Sequence, residues 1–191
     1  MSKEINNIDY TFEKNYWGNC CNTYDEETKQ YVYAKYMGIQ QVHMHLIPGQ
    51  ATILDIGGGP ASMLLKCHNL IKGKVVDPIA YPAWTLARYA SNNIEVSVKA
   101  GEDIDESGWD EVWIYNCLQH VIDPAKLLNK AKVSAKILRI FEWLAIPAHE
   151  GHPHMLTKTE LDSWLGAAGG VVHLAEQGCF GAAYYNTVNL H

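Results

Sequence analysis

The sequence predicts an α/β fold: a seven-stranded, mostly parallel sheet with helices on both faces, an antiparallel last strand and a helical N-terminal cap. Three observations carry this. Short apolar runs alternate with helical patterns from about residue 50 onward, the signature of parallel strands joined by helices. One of these runs, Thr52-Ile53-Leu54-Asp55-Ile56, opens directly into Gly57-Gly58-Gly59-Pro60, a strand followed by a glycine turn and a helix start. The last two runs are separated only by a short Gln177-Gly178 turn, which implies an antiparallel end piece.

The elements follow in order. Residues from about 23 to 47 read as helical, because Val32, Tyr36, Ile39, Val42 and Leu46 recur at helical spacing. Thr23-x-x-Glu26 resembles a capping box at its start, and Pro48-Gly49 ends it. Strands are predicted near 51–56, 74–77, 94–98, 110–115 and 136–142, then near 171–176 and 181–189. Helices are predicted near 61–70, 81–91, 123–132 and 157–167, the last capped by Thr157-x-x-Glu160. No repeat, low-complexity linker or charge block divides the chain. The expected organisation is one domain, with residues 1–47 forming the cap and 48–191 the sheet and its helices.

Composition narrows the function classes. A chain of 191 residues suits one domain with a sizeable core. The formal charge is −6 and Arg88 and Arg139 are the only arginines, which argues against a nucleic-acid partner, since such surfaces are basic and rich in arginine. Five cysteines, two of them adjacent at Cys20 and Cys21, do not suit a disulfide framework, so a reduced, cytoplasmic setting is expected. Met1 to Asn7 has no apolar signal region, and no stretch is apolar enough to span a bilayer.

The glycine turn carries the chemistry. Asp77 ends the run Val75-Val76-Asp77, twenty residues after Gly57. An acid at that distance accepts hydrogen bonds from ribose hydroxyls. Asp55-x-Gly57-x-Gly59-x-Ala61, Asp77, Gly101-Glu102-Asp103 and Asn116-Cys117-Leu118-Gln119-His120-Val121-Ile122-Asp123-Pro124 stand in that order. Together they resemble the class I S-adenosylmethionine-dependent methyltransferases over about residues 50–190. Two departures are visible: Ala61 stands where that family's motif has its last glycine, and Gln119 stands in a glutamate slot. The resemblance implies a Rossmann-like fold and S-adenosyl-L-methionine as cofactor. It places Asp55, Gly57, Gly58, Gly59, Asp77, Pro78, Glu102, Asp103 and Asn116 around it. Asp77 would take the ribose hydroxyls, Glu102 or Asp103 the adenine amino group, and Asp55 the ammonium end, directly or through water. The helix start near Pro60 would offer unpaired amides. Tyr16 and Trp17, with Asn19, would belong to an N-terminal lid.

The acceptor side rests on weaker patterns. Pro147-Ala148-His149-Glu150-Gly151-His152-Pro153-His154 is a loop rich in histidine. Its His-x-x-His-x-His spacing, with no helix to align the ligands, is not the His-Glu-x-x-His zinc motif, so no metal is expected. Histidine titrates near neutral pH, which makes His149, Glu150 and His154 candidate bases for an oxygen or nitrogen acceptor. His120 is a candidate for shaping the substrate site. No Asn/Asp/Ser-Pro-Pro-aromatic motif follows the fourth strand and no cysteine follows a proline, which argues against DNA base methylation. A small-molecule acceptor, or an exposed group on a larger partner, fits the compact chain, with transfer to an oxygen or a nitrogen. Two other readings stand beside this one: a module that binds S-adenosylmethionine without catalysis and acts through a partner, and an NAD-binding Rossmann oxidoreductase. Against the latter, the oxidoreductase fingerprint needs Gly or Ala where Ser62 stands.

Overall fold

The computed structural model describes residues 10–190. Residues 1–9 of the expected cap, the segment Met1 to Asn7 and His191 lie outside the described residues. Two helices, α1 (Thr11–Trp17) and α2 (Cys20–Tyr36), come first. A small antiparallel hairpin follows, β1 (Gln40–Val42) and β2 (His45–Ile47). Then come β3 (Thr52–Ile56), β4 (Lys72–Asp77), α3 (Ala83–Ala90), β5 (Ile94–Val98) and β6 (Trp109–Tyr115). The chain closes with α4 (Pro124–Ser134), β7 (Ala135–Trp143), α5 (Lys158–Leu165), β8 (Gly170–Glu176) and β9 (Cys179–Asn189).

The main sheet has seven strands in the order β5-β4-β3-β6-β7-β9-β8, parallel except for β9, which runs against both neighbours. The turn between β8 and β9 puts Gln177 at φ 48° and Gly178 at φ 77°, the two left-handed positions of a tight hairpin turn. Strands β3, β6 and β7 are buried on both faces, as parallel strands between helices are. Leu54, Ile56, Val112, Ile114, Leu138 and Ile140 face Leu127, Leu128 and Ala131 of α4 and Leu161 and Leu165 of α5. Ile53, Val75, Trp113 and Phe141 face Val32, Tyr33 and Ala34 of α2 and Tyr89 of α3. The chain crosses from one half of the sheet to the other between β3 and β6, so a crevice opens at the carboxyl ends of these strands.

Three sequence expectations need correction. The helix expected over 23–47 ends at Tyr36, because Gly38 turns left-handed at φ 71° and the chain reverses through His43 at φ 52°. Ile39 and Leu46 are buried with Val32, but from a hairpin, which mimicked helical spacing. The helix starts earlier, at Cys20, capped by Asn19 Oδ1 accepting from the Cys21 amide at 2.9 Å, so Thr23 and Glu26 form no cap. The helix expected over 61–70 is a single 3-10 turn, Met63–Lys66. Cys67 and His68 leave it to pair with Leu46 of β2. The Thr157–Glu160 capping box is present in full.

Gly57 shows what the turn after β3 demands. It sits at φ 75°, and a Cβ there would lie 2.3 Å from Cys117 Sγ. Gly57→Ala is therefore expected to cost about 2 kcal/mol or more, from left-handed strain and overpacking together. Urea unfolding measures this, and Cys117→Ala in the same chain is expected to restore part of it. An unchanged midpoint in Gly57→Ala would refute the close approach.

Candidate functional site

A cavity of about 710 Å³ lies at the carboxyl edge of the sheet. Its first wall is the glycine turn. The Gly57 amide donates to Val76 O at 2.8 Å, which draws the ends of β3 and β4 together. The Gly59 amide donates to Asp77 Oδ2 at 3.1 Å, and a Cβ on Gly58 would meet Asp55 Oδ2 at 2.7 Å. Gly57, Asp77 and Pro78 line the cavity. Gly58 and Gly59 shape the turn from behind. The Asp77 carboxylate also accepts from the Ile79 amide at 2.9 Å and the Tyr81 hydroxyl at 3.3 Å. Burial nonetheless pushes its pKa up to about 6, so ionised Asp77 gains from any further hydroxyl donor.

Asp55 is placed differently from the expectation. It is fully buried behind the turn and is not on the cavity wall. Its Oδ2 accepts from Ser62 Oγ at 2.5 Å and from the Tyr115 hydroxyl at 2.6 Å, while Oδ1 has no partner. Burial pushes it up to about 7. The amides expected to be free at the helix start are also taken. Ser62 N donates to the Tyr89 hydroxyl at 2.8 Å, Met63 N to the Tyr115 hydroxyl at 2.9 Å and Leu64 N to Ser62 Oγ at 3.0 Å. Two tyrosines, from α3 and β6, thus stand where the sequence suggested an open helix terminus.

The next wall comes from the segments after β5 and β6. Glu102 lines the cavity, and its Oε1 accepts from the Ile122 and Asp123 amides at 2.8 and 3.1 Å. Asp103 is exposed, 3.4 Å from Lys126 Nζ and off the wall. Asn116, left-handed at φ 49°, donates from Nδ2 to Glu26 Oε1 at 3.2 Å and accepts from Gln119 Nε2 at 2.8 Å. Below it, Glu142 accepts from the Cys117 and Leu118 amides at 3.1 Å, and burial pushes it up to about 8. Sequence reasoning missed Glu142 and Glu26. A glutamate ending the buried run Leu138 to Phe141 was the available signal for the first. The mistaken cap hid the second.

The far wall holds the histidines. His149 and His152 exchange backbone hydrogen bonds at 2.9 and 3.0 Å, pinching the loop into a tight turn. Their rings lie 4.2 Å apart, and the His120 ring sits 4.4 Å from His152. All three line the cavity. His120 Nδ1 lies 2.7 Å from Gly151 O, and Gln119 Nε2 reaches its Nε2 at 3.2 Å. Burial draws the His120 pKa down, but the bond and charge of Glu13, with the Gly151 carbonyl and Glu142, outweigh it and the net shift is upward. Burial, then His120 and His149, lower His152 to about 4, and its Nδ1 has no partner. His154 is held outside the cavity with its Nε2 3.1 Å from Ile122 O, and Glu150 is exposed and off the wall. Those two residues do not join the cluster. Among the described residues, no three His, Cys, Asp or Glu side chains converge to hold a metal ion.

Helix α1 lies over the cavity. Phe12, Glu13, Tyr16 and Trp17 line it, as does Tyr10 before them. Glu13 Oε1 is 3.0 Å from His120 Nδ1. The Trp17 ring lies 3.8 Å from where a Gly59 Cβ would stand, and a Cβ on Gly151 would meet the Phe12 ring at 2.3 Å. Asn19 caps α2 instead of reaching the cavity.

No protein-family model matches the sequence, and neither does any curated protein. Solved structures do share its fold. A SAM-dependent methyltransferase from Aquifex aeolicus aligns at TM-score 0.57 and 19% identity, over 84% of this chain and 90% of that one. The 1,6-didemethyltoxoflavin-N1-methyltransferase of Burkholderia thailandensis, solved with 1,6-didemethyltoxoflavin and S-adenosylhomocysteine, aligns at TM-score 0.62 and 14% identity, over 99% and 92%. An O-methyltransferase from neocarzinostatin biosynthesis, solved with S-adenosylhomocysteine and 1,4-dihydroxy-2-naphthoic acid, aligns at 0.59 and 16%, over 93% and 58%. The strand order and these alignments establish the class I, Rossmann-like methyltransferase fold.

Proposed function

We propose that the protein is an S-adenosylmethionine-dependent methyltransferase that acts on an oxygen or nitrogen of a small molecule. The observation that carries this is the convergence of the left-handed Gly57 turn and the buried Asp77 carboxylate on one cavity at the switch point of the sheet. The fit is chemical. Asp77 is a desolvated acceptor whose three donors, the Gly59 and Ile79 amides and the Tyr81 hydroxyl, leave capacity for a further hydroxyl, and the turn leaves no Cβ between backbone and ligand. Gly57, Asp77, Pro78, Glu102 and Asn116 would hold the cofactor, with Tyr16 and Trp17 of α1 over it. Bound there, S-adenosylmethionine would supply an activated methyl group on its sulfonium sulfur, within reach of an acceptor lone pair.

The chain's own contribution is placement and proton removal. Holding acceptor and donor in line supplies much of the rate. The acceptor's proton would leave to the His149–His152 turn, since both of these rings line the cavity while both His120 nitrogens already have partners. His154 and Glu150 are not retained as bases. The fold relatives named as an N1-methyltransferase and an O-methyltransferase support both classes of nucleophile.

The test is S-adenosylhomocysteine release over a panel of hydroxyl and nitrogen acceptors. With the first acceptor found, the double variant His149→Ala/His152→Ala is expected to lower kcat by about a hundredfold, in the range of general-base losses. KM is expected to stay near the wild-type value, and His154→Ala is expected to turn over normally. Full kcat in the double variant would remove the histidines from the mechanism.

A further inference from the structure

The cavity has two chemically different ends. The end under β3, β4 and β5 carries Asp77 and Glu102. The other end, under β7 and the β8–β9 hairpin, carries Trp143, Leu144, Ile146, Pro147 and Phe180, with Phe12 above. Trp143 is held edge-on against Phe141, ring centroids 5.5 Å apart at 90°, and against Tyr33 at 6.3 Å. Gly181, at φ 130°, brings the hairpin backbone against this ring, its Cβ position 3.9 Å from Trp143. Phe180 is 74% exposed at the rim, an aromatic surface left in water until something flat covers it.

Charge at this end is spoken for. Neither arginine lines the cavity: Arg88 pairs with Glu27 at 2.8 Å, and Arg139 with Glu111 at 2.7 Å. Among the described residues that line the cavity the one lysine, Lys29, sits 3.8 Å from Glu26. His120 faces Glu13 at 3.0 Å. A carboxylate or phosphate brought here would lose its water and meet Glu13 and Glu26, and among the described lining residues the one lysine already faces Glu26. An uncharged ring would lose little and cover apolar wall.

Resting on the methyltransferase reading, we propose that the acceptor is a planar aromatic molecule without carboxylate or phosphate, seated against Trp143 and Phe180. Its ring hydroxyl or ring nitrogen would be presented towards the His149–His152 turn. On transfer, the carbon–oxygen or carbon–nitrogen bond forms as the carbon–sulfur bond breaks, and the ring hydroxyl or N–H proton goes to a histidine.

The test uses two probes that share a ring system and differ in charge, 2-naphthol and 2-naphthoate, titrated calorimetrically into the full chain with and without S-adenosylhomocysteine. The expected result is 2-naphthol binding at least about tenfold tighter than 2-naphthoate. Phe180→Ala, a change at an exposed position, is expected to weaken 2-naphthol severalfold and leave S-adenosylhomocysteine affinity unchanged. Ile146→Arg, which supplies the missing cation, is expected to bring 2-naphthoate up. Equal or tighter binding of 2-naphthoate to the wild type, or no binding of 2-naphthol, would overturn the proposal. Failure of S-adenosylhomocysteine to bind would instead overturn the methyltransferase reading, and the naphthol pair without it would still decide the acceptor chemistry.

Discussion

Asp77→Ala is expected to weaken S-adenosylhomocysteine binding by about a hundredfold, a loss of roughly 3 kcal/mol. The size follows from a ribose hydroxyl donating to a buried carboxylate, a charged bond contributing about 1.5–3 kcal/mol net. The variant also strips the Gly59 amide of its partner, now at 3.1 Å, and loosens the turn. Asp103→Ala is the matched control. It removes an acid from another of the motif segments, one that faces Lys126 and solvent, and affinity is expected to hold. The wild type adds a pH signature. Asp77 titrates near 6 in the free protein, and hydroxyl donors favour its ionised form, so ligand binding expels a proton where Asp77 is protonated. Affinity is expected to be level above about pH 7 and to fall as the pH drops through 6 and below. Wild-type affinity in Asp77→Ala would sink the cofactor assignment. Tighter binding of NAD than of S-adenosylhomocysteine would move the reading to the oxidoreductase.

What the sequence made legible was what depends on contiguous residues. The run Thr52–Ile56 is buried on both faces of the sheet, and its apolar character shows it. Gly57 to Gly59 is readable because backbone turns with positive φ leave a residue signature. Asp77 is readable because its distance along the chain is set by one crossover. The Gln177-Gly178 turn and the Thr157–Glu160 cap were readable for the same local reason. What stayed hidden depends on contacts across the fold. Tyr89 and Tyr115 reach the amides of Ser62 and Met63 from 27 and 52 residues away, and nothing local in either tyrosine announces this. The Glu13–His120 pair joins residues from a helix that covers the cavity and a loop beneath it. The hairpin at β1 and β2 was read as helix because two buried positions seven residues apart satisfy both patterns. His149 and His154 look alike in sequence, and only the pinched turn decides that one faces the cavity and the other does not.

The second large effect is on stability, and it comes from acids buried for architecture. Asp55 is pushed up from 3.8 to about 7 and Glu142 from 4.5 to about 8, burial being the first cause in both. A carboxyl group whose pKa is raised by folding keeps its proton in the folded chain after the unfolded chain has lost it. Its contribution is therefore complete below the unfolded value and is lost as the pH rises through the folded one. His120, also raised, acts in the same direction. His152, lowered to about 4, acts in the opposite direction, but only below its unfolded value of 6.5. Between pH 6.5 and 8 the acids and His120 set the slope against a smaller opposing rise from Lys66, which burial lowers to about 8, and the protein is expected to lose on the order of 2 kcal/mol across that interval. Urea unfolding at four or five pH values reads it directly. Glu142→Gln keeps an acceptor for the Cys117 and Leu118 amides and removes the charge, so it is expected to flatten the fall by about half. Stability that is level or rising from pH 6.5 to 8 would mean that Asp55 and Glu142 are ionised in the folded chain. The segment after β6 would then be held by a charge, which Glu142→Gln would remove at every pH.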